Sequence, residues 1–308
     1  MKTKNKRWGF IIFLLIIIAL LGFFAVGILS LFIGGGVEDL SGNAALIPIK
    51  GVIMTGEVGF VSEVTTSDDI IEFIEKAEKN PSVKAIVFEI DSPGGGAVAS
   101  EEIANKIKEV NKTTVAWIRG AGASGAYWIA SATDHIVANR MSITGSIGVI
   151  SSYLEFAGFL GDHNITYQRL VAGKYKDLGS PLKELTLQER RILEKKLDII
   201  HDYFIEAVAE NRGLSKKDVE ELSTGAFYLG VEAKAFGLVD ELGGKDEVIE
   251  FIEKKLNMTV DLVEYKHEKT LFDLLKEVFN DNSFLVGKGI GSSMFGDPKA
   301  VNSLDVWT

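Results

Sequence analysis

Cysteine is absent from this chain, histidine occurs only four times and proline only five. Without cysteine there is no disulfide framework, no thiol nucleophile and no thiolate metal site. The redox compartment stays open on that evidence. The four histidines, His135, His163, His201 and His267, are scattered, and none has a local setting that marks it as a catalytic base. His135 opens a strand-like run, and His201 falls in a helix-like segment near Ile200 and Phe204, where a packed or surface histidine is the ordinary reading. Positive charge is also scarce. Lys and Arg number 33 against 43 Asp and Glu, and four of the basic residues precede a long apolar run. The remainder holds 29 basic against 43 acidic residues, a charge of −14, which argues against nucleic acid or anionic lipid as a partner.

Lys2, Lys4, Lys6 and Arg7 stand ahead of a stretch from Trp8 to Val37 that contains no charge. Its apolar centre, residues 10–33, is long enough to span a bilayer as a helix. A cleaved signal peptide has a shorter apolar region followed by a small-x-small site, whereas Leu31-Phe32-Ile33-Gly34 is a poor cleavage site. The expectation is an uncleaved transmembrane anchor. With the basic residues before it, residues 1–9 are expected in the cytoplasm and the body outside it, giving a single-pass protein of the cell membrane. Gly34-Gly35-Gly36 begins a polar linker over 34–43.

From Ala44 the pattern alternates between strand and helix. Strand-like runs cover 45–54, 83–90, 113–118, 135–138, 147–150, 165–171 and 260–265, and helix-like ones cover 67–80, 98–110, 125–132, 186–212, 232–236 and 246–256. Ser67 reads as the cap of the first of these helices. Repeated strand–helix units imply an α/β domain with a parallel sheet, over 44–265. A last helix over 271–279 and a tail from Asn280 would make up the segment 266–308.

Two strand-end loops carry the chemistry. Asp91-Ser92-Pro93-Gly94-Gly95-Gly96 follows one strand, and Gly120-Ala121-Gly122-Ala123-Ser124-Gly125-Ala126-Tyr127 follows the next. Ligands of open α/β sheets bind beyond the carboxyl ends of the strands, so both loops are expected to face one crevice. The second loop has the Gly-x-Gly-x-x-Gly spelling of a dinucleotide site. It belongs to a later strand than such sites do, however, and the position where the ribose-binding acid belongs is Arg140. The alternative is a nucleophile: Ser124 at a helix start, beside backbone N–H groups that stabilise an oxyanion. A serine nucleophile needs a base, and a lysine serves when burial lowers its pKa toward neutrality. Lys174 and Lys176 lie two apart after the 165–171 run, and their pattern alone leaves both open, as base or as surface charge.

The Asp91–Gly96 turn, the Ser124 loop, Thr144-Gly145-Ser146-Ile147-Gly148-Val149 and Lys174-Tyr175-Lys176-Asp177 together resemble the short membrane-anchored form of signal peptide peptidase A. The order and spacing of these motifs agree over about residues 45–256. The resemblance implies a Clp-protease/crotonase-like α/β fold with a Ser–Lys dyad, Ser124 as nucleophile and Lys176 as general base. It implies an oxyanion hole from Gly95 and Gly125, a lysine-orienting role for Ser146, and Lys174 as a neighbour. Asp91 is expected to shape the glycine turn and Tyr127 to pack behind the nucleophile. Related Clp proteases carry a histidine soon after the serine, where this chain has Gly148-Val149-Ile150, which supports lysine as the base. The implied activity is a serine endopeptidase that degrades signal peptides and other apolar peptides, needing no metal, nucleotide or other cofactor and assembled as a homo-oligomer, up to an octamer. The alternatives are a related Ser–Lys protease acting on one membrane protein, such as a stomatin-like partner, or a non-catalytic scaffold of the same fold. Intact Ser124 and Lys176 speak against the scaffold.

Overall fold

The computed structural model describes residues 14–24, 42–56 and 64–266. Residues 14–24 form a helix (α1) whose side chains are exposed. Among the described residues no helix is long and apolar enough to cross a membrane. The expected anchor over 10–33 is described only in part. Residues 1–9, most of the linker and the segment from His267 onward lie outside the described residues.

The body is a mostly parallel sheet in the order β2-β1-β3-β4-β5-β8, from β1 (Ala44–Met54), β2 (Val64–Thr66), β3 (Ala85–Gly95), β4 (Thr113–Ala123), β5 (His135–Ala138) and β8 (Glu241–Leu242). β9 (Leu262–Glu264) pairs with the start of β1, and β6 (Ile143–Gly145) pairs with the end of β4. The sole antiparallel pairing among the described residues joins β6 to β7 (Phe227–Leu229). This is the α/β class expected from the alternating pattern.

The period of two along each strand divides the core. Ile47, Ile49, Ile86, Phe88, Ile90 and Ile118 face one layer, built by α2 (Ser67–Lys79), α3 (Ala97–Glu109) and α4 (Gly125–Ser131). Leu46, Val87, Val115 and Val137 face the other, closed by Val248 and Ile252 of α9 (Lys245–Leu256). Parallel strands need both faces covered, and their central residues are apolar on both. The long helix α6 (Leu187–Arg212) starts at a Thr186–Glu189 capping box and ends at Gly213 in the left-handed region, φ 63°. Trp128 stacks on Phe204 at 4.8 Å between ring centroids, which joins α4 to α6.

Some expectations change. The cap of α2 is Thr66, whose hydroxyl accepts from the Asp69 N–H at 3.2 Å, while the Ser67 hydroxyl donates to Glu102 at 2.7 Å. Residues 147–150 and 165–171 form no strand. A strand needs a neighbour for its N–H and C=O groups, and the sheet offers none beyond the short β6 and β7. Ile147 is fully buried in the core, whereas Ile150 and Leu170 remain outside, 90% and 93% exposed. Between them lies a short helix, α5 (Ala157–Asp162), none of whose residues is buried.

Candidate active site

β3 and β4 are adjacent and parallel, with Ser92 opposite Gly122, so the glycine turn and the Ser124 loop leave the sheet side by side. The Ser92 hydroxyl donates to Gly51 O at 2.6 Å and accepts from the Gly94 N–H at 3.0 Å, and the Gly96 N–H donates to Ile53 O at 2.8 Å. Gly94 has φ +100°, a conformation that disfavours any side chain. A Cβ built on it would stand 2.9 Å from the Ser124 Cβ and 2.8 Å from the Gly125 nitrogen. At Gly95 a Cβ would meet Ile53 O at 1.9 Å. The two turns therefore touch backbone to backbone.

Ser124 occupies a strained turn, φ 54° and ψ −127°, between β4 and α4. Non-glycine residues held in sparsely populated regions persist where the surroundings over-determine them, often at active sites. Here the Ser124 N–H donates to Gly145 O at 2.8 Å, and Ser124 O accepts from the Tyr127 and Trp128 N–H groups at 2.9 and 3.0 Å. Asp91 Oδ1 accepts from the Ala121 N–H at 3.0 Å, so this carboxylate shapes the Ser124 loop rather than its own glycine turn. A Cβ on Gly120 would lie 2.8 Å from Asp91 Oδ1, and one on Gly122 2.9 Å from Ile118 Cγ2. Packing accounts for the Gly-x-Gly-x-x-Gly spelling without a nucleotide. Tyr127 is fully buried behind the serine, its hydroxyl donates to Leu238 O at 2.9 Å, and burial pushes the phenol pKa up.

A cavity of about 780 Å³ opens at this point, and Ser124, Gly125, Gly95 and Ser146 all line it. Ser146 also has a positive φ, 50°. Its N–H donates to Ala226 O at 3.1 Å and its hydroxyl to Gly225 O at 3.1 Å. The far wall comes from α6 and α4, with Leu197, Ile200, His201, Phe204 and Trp128. The helix-like run over 186–212 gave no sign of this wall, because Leu197, Ile200 and Phe204 recur at the spacing of an ordinary packing face. His201 Nε2 is buried without a hydrogen-bond partner.

Lys176 is not among the residues lining the cavity. It is exposed, in a turn over 172–180 where its N–H donates to Gly173 O at 3.2 Å. One chain thus brings together Ser124, Gly125, Gly95 and Ser146 but leaves Lys176 outside. Lys174 is exposed too, its ammonium donating to Gln188 Oε1 at 3.0 Å and lying 4.9 Å from the Tyr175 ring centroid. The turn is fastened by Asp177. Arg169 grips that carboxylate through Nε at 2.6 Å and Nη2 at 2.8 Å, which holds its pKa down to about 2. Lys183 and the Thr186 cap bring Glu189 down to about 2 as well.

A model of the family described as peptidase family S49 matches residues 106–259. A protein of Methanocaldococcus jannaschii named as a protease is 36% identical over 234 residues, 74% of each chain. A protein of Enterococcus faecium that carries the name signal peptide peptidase SppA is 30% identical over 243 residues, 76% of this chain and 71% of that one. Protease 4 of Haemophilus influenzae is 30% identical over 254 residues, 80% of this chain and 39% of that longer one. A solved membrane-bound stomatin-specific protease shares 18% identity with a TM-score of 0.49, over 78% of this chain and 98% of its own, a likeness too loose to carry an argument. Together with the serine-centred cavity, the sequence matches define a serine peptidase. The chain belongs to peptidase family S49, alongside relatives named SppA and Protease 4.

Proposed function

We propose that this peptidase uses Ser124 as nucleophile and Lys176 as general base, on signal peptides and other apolar peptides at the membrane. The strained Ser124 turn, packed against Gly94 and Gly95 at the mouth of an apolar-walled cavity, carries this reading. Ser124 Oγ attacks the scissile carbonyl while the neutral Lys176 amine takes its proton, then returns it to the leaving amine. Water hydrolyses the resulting ester by the same relay. The N–H groups of Gly95 and Gly125 receive the oxyanion, and losing one such donor costs about 2.7–4 kcal/mol of barrier. Ser146, on the same cavity, orients the lysine amine once it arrives: its O–H already donates to Gly225 O, and its oxygen accepts from the amine.

A base must come within hydrogen-bond reach of its nucleophile, and Lys176 lies outside the cavity of its own chain. The proposal therefore places Lys176 of one copy at Ser124 of another. The segment that carries it supports this: Ile150, Leu154, Phe159 and Leu170 are 90%, 74%, 56% and 93% exposed, apolar area of the kind that interfaces cover. A lysine closed into such an interface loses its water, and burial favours the neutral form of an amine. The architecture is of the Clp-protease/crotonase type in this reading, and the assembly is a closed homo-oligomer, up to an octamer. The apolar run over 10–33 anchors each chain, with the body outside the cytoplasm.

The test uses the full chain in detergent with a fluorogenic apolar peptide. Ser124→Ala and Lys176→Ala each reduce cleavage to background, while Lys174→Ala retains it. Full activity in Lys176→Ala would remove the dyad. Cleavage of intact membrane proteins in preference to free signal peptides would replace the substrate class.

A further inference from the structure

Ser100 lies where the two backbone donors meet, and no step above uses it. It is fully buried in the first turns of α3. Its N–H and its hydroxyl both donate to Gly96 O, each at 3.0 Å. The same oxygen occupies the space beside Gly125: a Cβ built on Gly125 would stand 2.2 Å from Ser100 Oγ and 3.1 Å from Ser100 Cβ, and 3.3 Å from the Gly95 nitrogen. The start of α4 therefore rests on this hydroxyl, within reach of the Gly95 amide.

Helix stability does not explain the residue. A serine bonded back to the carbonyl four positions earlier is neutral to unfavourable in a helix, and alanine is the stronger helix former. We propose that Ser100 is a positioning residue that sets the separation of the Gly95 and Gly125 amides; this rests on the reading of Ser124 as nucleophile. It acts at both ends of the gap. The hydrogen bond to Gly96 O fixes the residue after Gly95, whose own N–H is tied to Ile53 O. The volume of the oxygen stops Gly125 from settling inward. The two donors then converge on one oxygen without reorganising during the reaction, which is where such a site gains its rate.

The experiment compares wild type, Ser100→Ala, Ser100→Cys and Ser124→Ala as full chains in detergent, with active sites titrated by a fluorophosphonate. A fluorogenic apolar peptide gives kcat and KM, and a peptide aldehyde of the same sequence reports affinity for a tetrahedral adduct. Misplacing a donor by a fraction of an ångström is expected to lower kcat per titrated site about tenfold in both Ser100 variants. KM stays within about twofold, and aldehyde affinity falls by the same factor as kcat. The sulfur of the cysteine variant is larger than oxygen, so it displaces Gly125 the opposite way from alanine, and one variant suffices if the other does not fold. A lower melting temperature with unchanged kcat per titrated site overturns the inference, as does a loss confined to KM. Cleavage by Ser124→Ala overturns the nucleophile reading itself. An inactive Ser124→Ala beside fully active Ser100 variants removes only the role of Ser100.

Discussion

The sheet with its two strand-end turns and the segment from Ile150 to Tyr203 are built on opposite terms. In the first, the strand interiors are closed on both faces and each turn is pinned by side-chain and backbone hydrogen bonds. In the second, large apolar side chains stand in water and the fixed points are ion pairs, Arg169 with Asp177 and Lys183 with Glu189. Ser124 belongs to the first region and Lys176 to the second. The proposed nucleophile and its proposed oxyanion donors are thus shaped within one chain. The proposed base rides on a surface that is completed from outside in the proposed assembly.

The sharpest break between the regions is in stability. Phe88→Ala empties a fully buried position and is expected to cost about 3–5 kcal/mol in chemical denaturation. Gly95→Ala forces a Cβ onto Ile53 O and should leave little folded protein, read by circular dichroism. Leu170→Ala, at an exposed position, should change the stability of the body by less than about 0.5 kcal/mol.

An intermediate effect separates folding from assembly. Leu154→Asp with Leu170→Asp places two charges on the exposed apolar surface. Light scattering should show a smaller particle, with cleavage lost and the circular dichroism spectrum kept. An unchanged mass would move the interface elsewhere.

The smallest effect concerns the turn that carries Lys176. The Asp177 carboxyl lies at about 2 in the folded chain against 3.8 ordinarily, because Arg169 bonds its charged form. The folded value is the lower one, so the stabilisation is complete above about pH 4 and fades as pH falls through 2. Arg169→Ala should therefore be slightly less stable than wild type from pH 5 to 8, and the difference should vanish toward pH 2. A difference that grows on acidification would contradict the assignment.

The fold was legible wherever a segment satisfies itself locally or against its neighbour in sequence. Val83–Ile90, Thr113–Ile118 and the long helix from Thr186 announce themselves by their apolar period. That the glycine turn and the Ser124 loop share one crevice was legible because both follow neighbouring parallel strands. What sequence could not convey was the partner of an apolar run. Residues 147–150 and 165–171 carry the apolar content of strands, yet they form none: Ile147 O takes one bond from the Gly225 N–H, and the pairing goes no further. The same gap hid the wall of the cavity, because Leu197 and Ile200 look like core residues on a helix and face Ser124 across open space instead. It also hid the distance between Ser124 and Lys176, which depends on where that open segment goes.

Complementation tests that separation most directly. Full-length Ser124→Ala and Lys176→Ala chains, each inactive alone, are mixed under conditions that allow subunits to exchange, and cleavage of the apolar peptide is followed. If Ser124 of one copy works with Lys176 of another, the mixture recovers activity in proportion to the mixed interfaces formed. No recovery, with exchange verified and both variants assembled, would mean that the two residues do not act across copies and that the lysine reaches the serine within its own chain or takes no part.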